Sequence, residues 1–448
     1  MNNLTEPILN RVQTRKIPSS SFMRSWTLGS SHAKIAAHYF SYAIQKHFVA
    51  DEKKKDLYSH FQLQSALQLL GTMGYLRGAI MKVGQLIANL PQIMPVELVE
   101  IFESLQFEAP PMHYSLIREV FLNELGREPE EIFASFEKNA FAAASLGQVH
   151  RAKLHNGKEV AVKVQYPNIA ATIEADIRSL SILFQTMRFK KDFQYLVNHV
   201  QDARSVFLNE VDYLSEAMFM EKNRKLFAGS KIVVLRLFPE FTTPRILTME
   251  YLPGMHLQGF LATNPSLAKR NHFAKLISYS LVHSWFCLKT VYADLHPGNF
   301  ILMADGRLGF IDFGCYCQFS KERWKLQVDG EMAMFQGERD RLMRYLAKIA
   351  MYDRPEDLDP DWVDLFMRQL HWIIAPVLAK GPFAFSRKEY VDHGASLLKE
   401  TIQKASAHTD PFYNWSNRAL LGHRALMYRL RCTFDYSALY LAEMKQFS

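Results

Sequence analysis

Between residues 141 and 167 the chain reads FAAASLGQVHRAKLHNGKEVAVKVQYP, and apolar and polar positions alternate along VHRAKL and EVAVKV. A period of two marks a half-buried strand, and Asn156-Gly157 between the two runs predicts a β-hairpin. The same pattern of apolar run, turn and apolar run recurs in ADLHPGNFILMADGRLGFIDFG, residues 293–314, around Asp305-Gly306. That hairpin would hold Asn299 at its start and Asp312 at its end, so both polar side chains could converge on one spot. KIVVLRLF and RILTMEYL predict further strands of a small strand-rich lobe. Elsewhere the period is helical. FQLQSALQLLGTMGYLRGAIMKVGQLIANL carries apolar residues at helical spacing without proline, although Gly71, Gly74, Gly78 and Gly84 interrupt it. Glycines weaken a helix and let another backbone or a ligand come close. PQIMP breaks this helix, VELVEIFESL forms a second, and Pro110-Pro111 ends the region. SLIREVFLNELG is an amphipathic helix stopped by Gly126. A long helical region then runs to about residue 228, with Phe207, Val211 and Leu214 marking its buried face, and helices dominate from Gln258 onward. The expected fold class is α+β, divided into an extension over 1–50, a helical segment over 51–112, a strand-rich lobe with a helical insertion over 113–253, and a helical lobe over 254–448.

Composition narrows the classes. The 448 residues, 48% of them hydrophobic, suffice for two or three domains or one large bilobal one. No uncharged apolar stretch reaches the length of a membrane span; the nearest, LISYSLVHSWFCL, lies between Lys275 and Lys289 and reads as a buried helix. Four cysteines point to a reducing compartment rather than a disulfide framework, and Cys315 and Cys317 lack a second Cys/His pair at zinc spacing. The net charge of +8 is spread along the chain. Basic clusters at Lys53–Lys55 and at Arg188, Lys190 and Lys191 read as solvated helix faces. With no aromatic-interleaved basic stripe, nucleic acid is not an expected partner, while weak attraction to an anionic membrane surface stays open. Arg11, Arg15, Lys16 and Arg24 against Glu6 make the N-terminus basic without a signal peptide's apolar core. The expected location is cytoplasmic, with peripheral contact at the inner membrane as the open alternative.

The chemistry starts at Lys163, a lysine inside the apolar strand EVAVKV. Such a lysine is costly unless paired or bound to an anion. The segment NEVDYLSEA offers Glu210, Asp212 and Glu216 as carboxylates. A strand lysine held by a helix glutamate is the device with which protein kinases grip the phosphates of ATP. In that pattern a catalytic-loop Asp precedes a metal-binding Asn by five residues, and DFG supplies the second metal ligand. Asp294, Asn299 and Asp312-Phe313-Gly314 occupy those places. Mg²⁺ retains waters, so one amide oxygen, one carboxylate and the phosphates suffice to hold it. For Asp294 the roles of general base and positioning group are both open. Glu250 and Tyr251, in LTMEYLPG, stand where a kinase hinge would present backbone groups to adenine. Two features depart from an ordinary kinase. Ala142, Ala143, Ala144 and Ser145 replace the glycine-rich loop, and GCYCQFSKERW passes from DFG straight into helix without an APE signature. Alanine avoids the positive φ that glycine allows, so the loop must take another shape over the phosphates.

KVGQ at Lys82 to Gln85, AAAS at Ala142 to Ser145, EVDYLSEA and DLHPGN together resemble the UbiB family of atypical, protein-kinase-like proteins, which is linked to coenzyme Q biosynthesis. The likeness covers about residues 70 to 320. It implies a bilobal protein-kinase-like fold in which an N-terminal helical KxGQ extension lies over the active site and covers the groove of a peptide substrate. By the same resemblance Lys82 and Gln85 point into the nucleotide pocket, Lys82 pairs with Glu210 and Asp212, and Glu216 is left for Lys163. The implied activity is that of a regulated ATPase or small-molecule kinase using Mg²⁺ and ATP, with a small or lipid-like acceptor and quinone-biosynthesis enzymes as candidate partners. Tyr292 stands where the family usually has His, a position expected to be structural. The C-terminal RALMYRLRCTFDYSALYLAEMKQFS is too charged for the transmembrane helices that end some members. Two other readings remain: a nucleotide-binding pseudokinase that serves as an assembly factor, and an aminoglycoside-type phosphotransferase, which would lack the KxGQ extension.

Overall fold

The computed structural model describes residues 112–144, 146–167, 210–379, 381–404 and 410–447, with isolated positions between 169 and 204. The KxGQ segment with Lys82 and Gln85, Ser145, the basic clusters and Phe207 lie outside the described residues. Residues 112–167 and 210–447 belong to one compact unit.

The first helix, α1 (Tyr114–Leu125), ends where the sequence predicts. Gly126 takes φ 68° and donates its N–H to the Leu122 carbonyl, while Ile117, Val120 and Phe121 are buried. After the short α2 (Pro129–Ile132) come β1 (Ser135–Phe136), β2 (Ala142–Ala144), β3 (Gly147–Lys153) and β4 (Glu159–Gln165). Next are α3 (Tyr213–Leu226), β5 (Ile232–Val234) and β6 (Ile246–Glu250). β1, β3, β4 and β6 form one antiparallel sheet in that order, with β2 also paired to β3. Alternation in EVAVKV predicts a half-buried strand, but central placement buries β4 over all but its first residue.

The second half is helical, as expected. It runs through α4 (Leu257–Ala262), α5 (Leu267–Leu288), β7 (Thr290–Tyr292), β8 (Phe300–Leu302), β9 (Leu308–Phe310) and β10 (Tyr316–Gln318). Then follow α6 (Lys321–Gln336), α7 (Arg339–Ile349), α8 (Pro360–Leu378), β11 (Phe383–Ala384), α9 (Lys388–Lys404), α10 (Pro411–Leu430), β12 (Thr433–Phe434) and α11 (Tyr436–Phe447). Among the described residues no helix is long and apolar enough to cross a membrane.

Both sequence hairpins form, and their turns share one geometry. Gly157 and Gly306 each take φ +83° and donate to the carbonyl three residues back, Leu154 at 2.8 Å and Met303 at 3.1 Å. Leu154 and Met303 in turn donate to the carbonyls of Lys158 and Arg307. In each turn glycine alone takes the left-handed conformation, which side chains with a Cβ resist.

The structure departs from the sequence reading at three further places. KIVVLRLF divides: Ile232–Val234 (β5) pairs parallel with β9, making a three-stranded sheet with β8, whereas Arg236 to Phe238 bond antiparallel to β6 of the large sheet. DFG does not pass straight into helix, because β10 first pairs antiparallel with β7. The buried face of α3 carries Tyr213, Glu216, Phe219, Met220 and Asn223, whereas Leu214 is 41% exposed and Val211 precedes the helix. The cause is the cap. Asp212 accepts from the Leu214 N–H at 3.1 Å and starts the helix at Tyr213, so a periodicity counted across residue 212 loses phase.

Phe219, Tyr292, Phe310 and Phe313 pack together in the core between these elements, and Phe219 stacks on Tyr316 at 3.7 Å. Tyr292 is structural there. Its hydroxyl donates to Asn223 Oδ1 at 2.5 Å and lies 3.1 Å from Ser284 Oγ, joining α3 to α5. Tyr292→Phe strips the buried Asn223 amide of its donor and should cost about 1–3 kcal/mol of unfolding free energy. Denaturant titration checks this, and an unchanged midpoint would contradict the assigned network.

Candidate functional site

Lys163 stands in the middle of β4, opposite Val149 of β3 on one side and Leu247 of β6 on the other. Its side chain is buried, and Nζ lies 3.0 Å and 2.9 Å from the two carboxylate oxygens of Glu216. The Asp212 cap sets the phase of α3 and so turns Glu216 inward, one turn into the helix. The face of the Tyr213 ring lies 5.0 Å from Nζ and adds a further favourable contact. Gly314 locates the other acids. A Cβ built there would lie 3.2 Å from Glu216 Oε2, 3.4 Å from Glu210 Cγ and 3.5 Å from Asp312 Oδ1. Three acidic side chains thus surround a single glycine, and Asp312 Oδ1 accepts from its N–H at 3.0 Å.

Burial alone would strip the proton from Lys163, but the charges of Glu216 and Asp312 outweigh it and hold the ammonium well above the ordinary lysine range. Burial also pushes Glu216 up; Lys163 pulls it back, and Asp312 and Glu210 push it up again. Both groups therefore keep protons more tightly than they would in water.

Asp294 follows β7, and Asn299 comes five residues later, just before the hairpin of β8 and β9. Asn299 Nδ2 donates to the Asp294 carbonyl at 2.7 Å, which turns the amide oxygen the other way. The Asn299 carbonyl accepts from the Ile311 N–H at 3.0 Å, so strand pairing places Asn299 beside the residue preceding Asp312. His296 accepts from the Gly298 N–H through Nδ1 at 3.1 Å, which shapes the turn between Asp294 and Asn299. Asp294 Oδ1 lies 3.5 Å from Arg418 Nη2 of α10.

The remaining sequence candidates fall elsewhere. Ala142 to Ala144 form β2, pairing with Val149 to Gly147, so the replacement for the glycine-rich loop is partly strand. A Cβ on Gly147 would overlap the Val164 carbonyl, which brings this turn hard against β4 next to Lys163. Glu250 sits opposite Val160, three residues along β4 from Lys163, with an exposed side chain. Its N–H donates to the Arg236 carbonyl at 2.8 Å, and the Tyr251 N–H donates to Glu159 at 3.2 Å, so both serve the strand network. Asp212 caps α3 and also accepts from Ser215 Oγ at 2.6 Å. The pairing of Lys82 with Glu210 and Asp212 lies outside the described residues. Sequence reading missed Tyr213 and Arg418: a ring and an arginine carry no local motif that marks them. No cluster of three or more His, Cys, Asp or Glu suited to a metal occurs among the described residues. A magnesium site of one carboxylate and one amide oxygen is not such a cluster, and the hard oxygens of Asp312 and Asn299 fit that ion.

Residues 104–346, more than half of the chain, match the ABC1 atypical kinase-like domain. The chain is 28% identical over 343 residues to a probable serine/threonine-protein kinase of Dictyostelium discoideum, covering 72% of this chain and 60% of that protein. It is 30% identical over 313 residues to an AarF domain-containing protein kinase of Xenopus laevis, covering 66% and 58%. An Arabidopsis thaliana chloroplastic protein named for activity of bc1 complex kinase is 29% identical over 292 residues, 62% of this chain and 37% of the relative. The chain spans about half the length of the curated relatives it matches. A solved Mycobacterium tuberculosis structure, a complex with erythromycin, shares the fold with a TM-score of 0.56 and 24% identity, over 86% of this chain and 97% of that one. Domain match and relatives bear out the likeness first seen in AAAS, EVDYLSEA and DLHPGN: this chain belongs to the ABC1 atypical kinase-like family, which includes the UbiB-type proteins.

Proposed function

We propose that the protein binds Mg·ATP at Lys163, Asn299 and Asp312 and either hydrolyses it or transfers its γ-phosphoryl group to a small or lipid-like acceptor, in support of ubiquinone biosynthesis or lipid homeostasis. The observation that carries this is the buried Lys163–Glu216 pair set beside Asp312. Lys163 offers an ammonium to the α- and β-phosphates, and Glu216 keeps it extended from β4 toward them. Asp312 and the Asn299 amide oxygen would hold Mg²⁺, whose charge neutralises the triphosphate. Asp294 faces the acceptor. Lys82 and Gln85 would complete the nucleotide pocket from the KxGQ segment, with Glu210 and Asp212 as the partners of Lys82.

An anionic triphosphate set beside the Glu216 and Asp312 carboxylates needs positive charge, which Mg²⁺ and Lys163 would supply. Membership in a family that includes named protein kinases supports phosphoryl transfer as the reaction class. The strand Ala142–Ala144 in place of a glycine-rich loop favours the second reading, a nucleotide-dependent assembly factor with restrained turnover. Single-turnover assays with and without liposomes separate the two: phosphoryl transfer to a lipid fraction supports the first, and nucleotide binding without turnover the second.

Asp312→Asn should lower ATP turnover by about 100-fold or more while leaving the unfolding midpoint nearly unchanged. Turnover at the wild-type rate would reject the assigned magnesium ligand. Lys163→Met leaves Glu216 buried without its cation and should cost about 3–5 kcal/mol of stability at neutral pH. Loss of the ammonium raises the folded-state pKa of Glu216 further above its unfolded value of about 4.3. A carboxyl shifted that way favours the folded state most at low pH and loses the advantage as pH rises. The deficit of the variant should therefore shrink between pH 8 and pH 5 in denaturant titrations. A deficit that grows on acidification would contradict the pairing.

A further inference from the structure

The side chain that holds Asp294 comes from far along the chain. In the protein-kinase pattern an arginine immediately precedes the catalytic-loop aspartate. Here that place is Ala293, fully buried, and the guanidinium near the aspartate belongs instead to Arg418, 124 residues downstream. We propose that Arg418 is the positioning residue for Asp294 in phosphoryl transfer, an assignment that rests on the phosphotransfer reading above.

α10 is fixed so as to deliver this side chain. Gly422, one turn beyond Arg418 on the same face, lets the helix press against the catalytic loop: a Cβ there would lie 3.0 Å from Leu295 Cβ and 3.4 Å from the Leu295 carbonyl oxygen. At the start of α10, Asp410 caps the helix and pairs with Arg323 of α6 at 2.8 Å, and Phe412 packs edge-on against Phe319 at 4.6 Å. Further on, His423 shares a 2.8 Å hydrogen bond with Ser278 of α5, and Leu426, Met427 and Leu430 are buried in the main core. Arg418 thus projects from an anchored helix onto Asp294, while Gly422 of the same helix lies against Leu295.

Two consequences follow for the chemistry. Arg418 Nη2 faces Asp294 Oδ1 at 3.5 Å, at the outer limit of a hydrogen bond and within reach of an ion pair, which leaves Oδ2 to meet the acceptor hydroxyl. Transfer breaks the acceptor O–H bond and the terminal P–O bond of ATP and forms the acceptor O–P bond. The proton goes to Asp294 and the electron pair leaves with ADP. Arg418 Nη1 is buried without a hydrogen-bond partner among the described residues. It is a donor beside Asp294, suited to an oxygen of the acceptor or of the transferred phosphoryl group.

The test compares wild type, Arg418→Met, Arg418→Lys, Asp294→Asn and the double variant Arg418→Met with Asp294→Asn, each assayed for ATP turnover, Mg·ATP affinity and unfolding midpoint. Arg418→Met should slow turnover by about 10- to 100-fold while Kd for Mg·ATP moves less than about threefold. Arg418→Lys keeps the charge but not the fork, should fall between Arg418→Met and wild type, and carries the test if the Met variant does not fold. The double variant should be no slower than Asp294→Asn alone, within about twofold, because both changes act on one step. Losses that multiply, or an affinity loss as large as the turnover loss, overturn the assignment. An inert wild type overturns the phosphotransfer reading and this one with it; an active wild type with multiplying losses overturns this one alone.

Discussion

Burying the Lys163 ammonium in the central strand of a five-stranded sheet takes a charge out of water, at a cost of several kcal/mol, and the surrounding structure is arranged to meet that cost. Glu216 meets most of it with both carboxylate oxygens. Its inward orientation depends on the helix phase, and the phase depends on the Asp212 cap. Glu210 and Asp312 gather with Glu216 around Gly314, so the ammonium sits among several carboxylates. A buried pair of this kind, set beside the Asp312 carboxylate and the Asn299 amide, is the arrangement on which the proposed Mg·ATP site rests.

The rest of the site is organised around that cluster by backbone hydrogen bonds rather than by loops. Pairing of β8 with β9 fixes Asn299 against the segment leading to Asp312, and Asn299 ties the Asp294 carbonyl in turn. Tyr292 anchors the strand before Asp294 to α3 and α5 through its hydroxyl. One network of packed aromatic rings, Phe219, Phe310 and Phe313 among them, links the helix that carries Glu216 to the residue after Asp312. A change in the core is therefore felt at the site, because the same helix that carries Glu216 also carries Phe219 and Asn223.

Much of this was legible because local rules agreed with the tertiary fold. Alternation around Asn156-Gly157 and Asp305-Gly306 gave both hairpins, and an apolar strand with one lysine in it demanded a carboxylate, which Glu216 supplies. The misses have physical causes. KIVVLRLF looks like any other strand, and nothing local shows that its first half pairs parallel with β9 while its second half joins β6. The α3 face was assigned out of phase because periodicity was counted through a capping residue. The strand Tyr316–Gln318 is too short to declare itself against a following helix. Arg418 meets Asp294 only after 124 residues of intervening chain have folded, so no motif could contain both. The ubiquinone link came from family likeness; the polar cluster speaks to nucleotide chemistry and is silent about the acceptor.

The central claim is that Lys163, Asn299 and Asp312 together receive a divalent cation and a triphosphate. A crystal structure of the full chain grown with Mn²⁺ and a non-hydrolysable ATP analogue, phased at the manganese edge, tests it most directly. The anomalous peak should fall between the Asp312 carboxylate and the Asn299 amide oxygen, with the α- and β-phosphates on Lys163 Nζ. A peak elsewhere, or a nucleotide bound away from Lys163, would contradict the account.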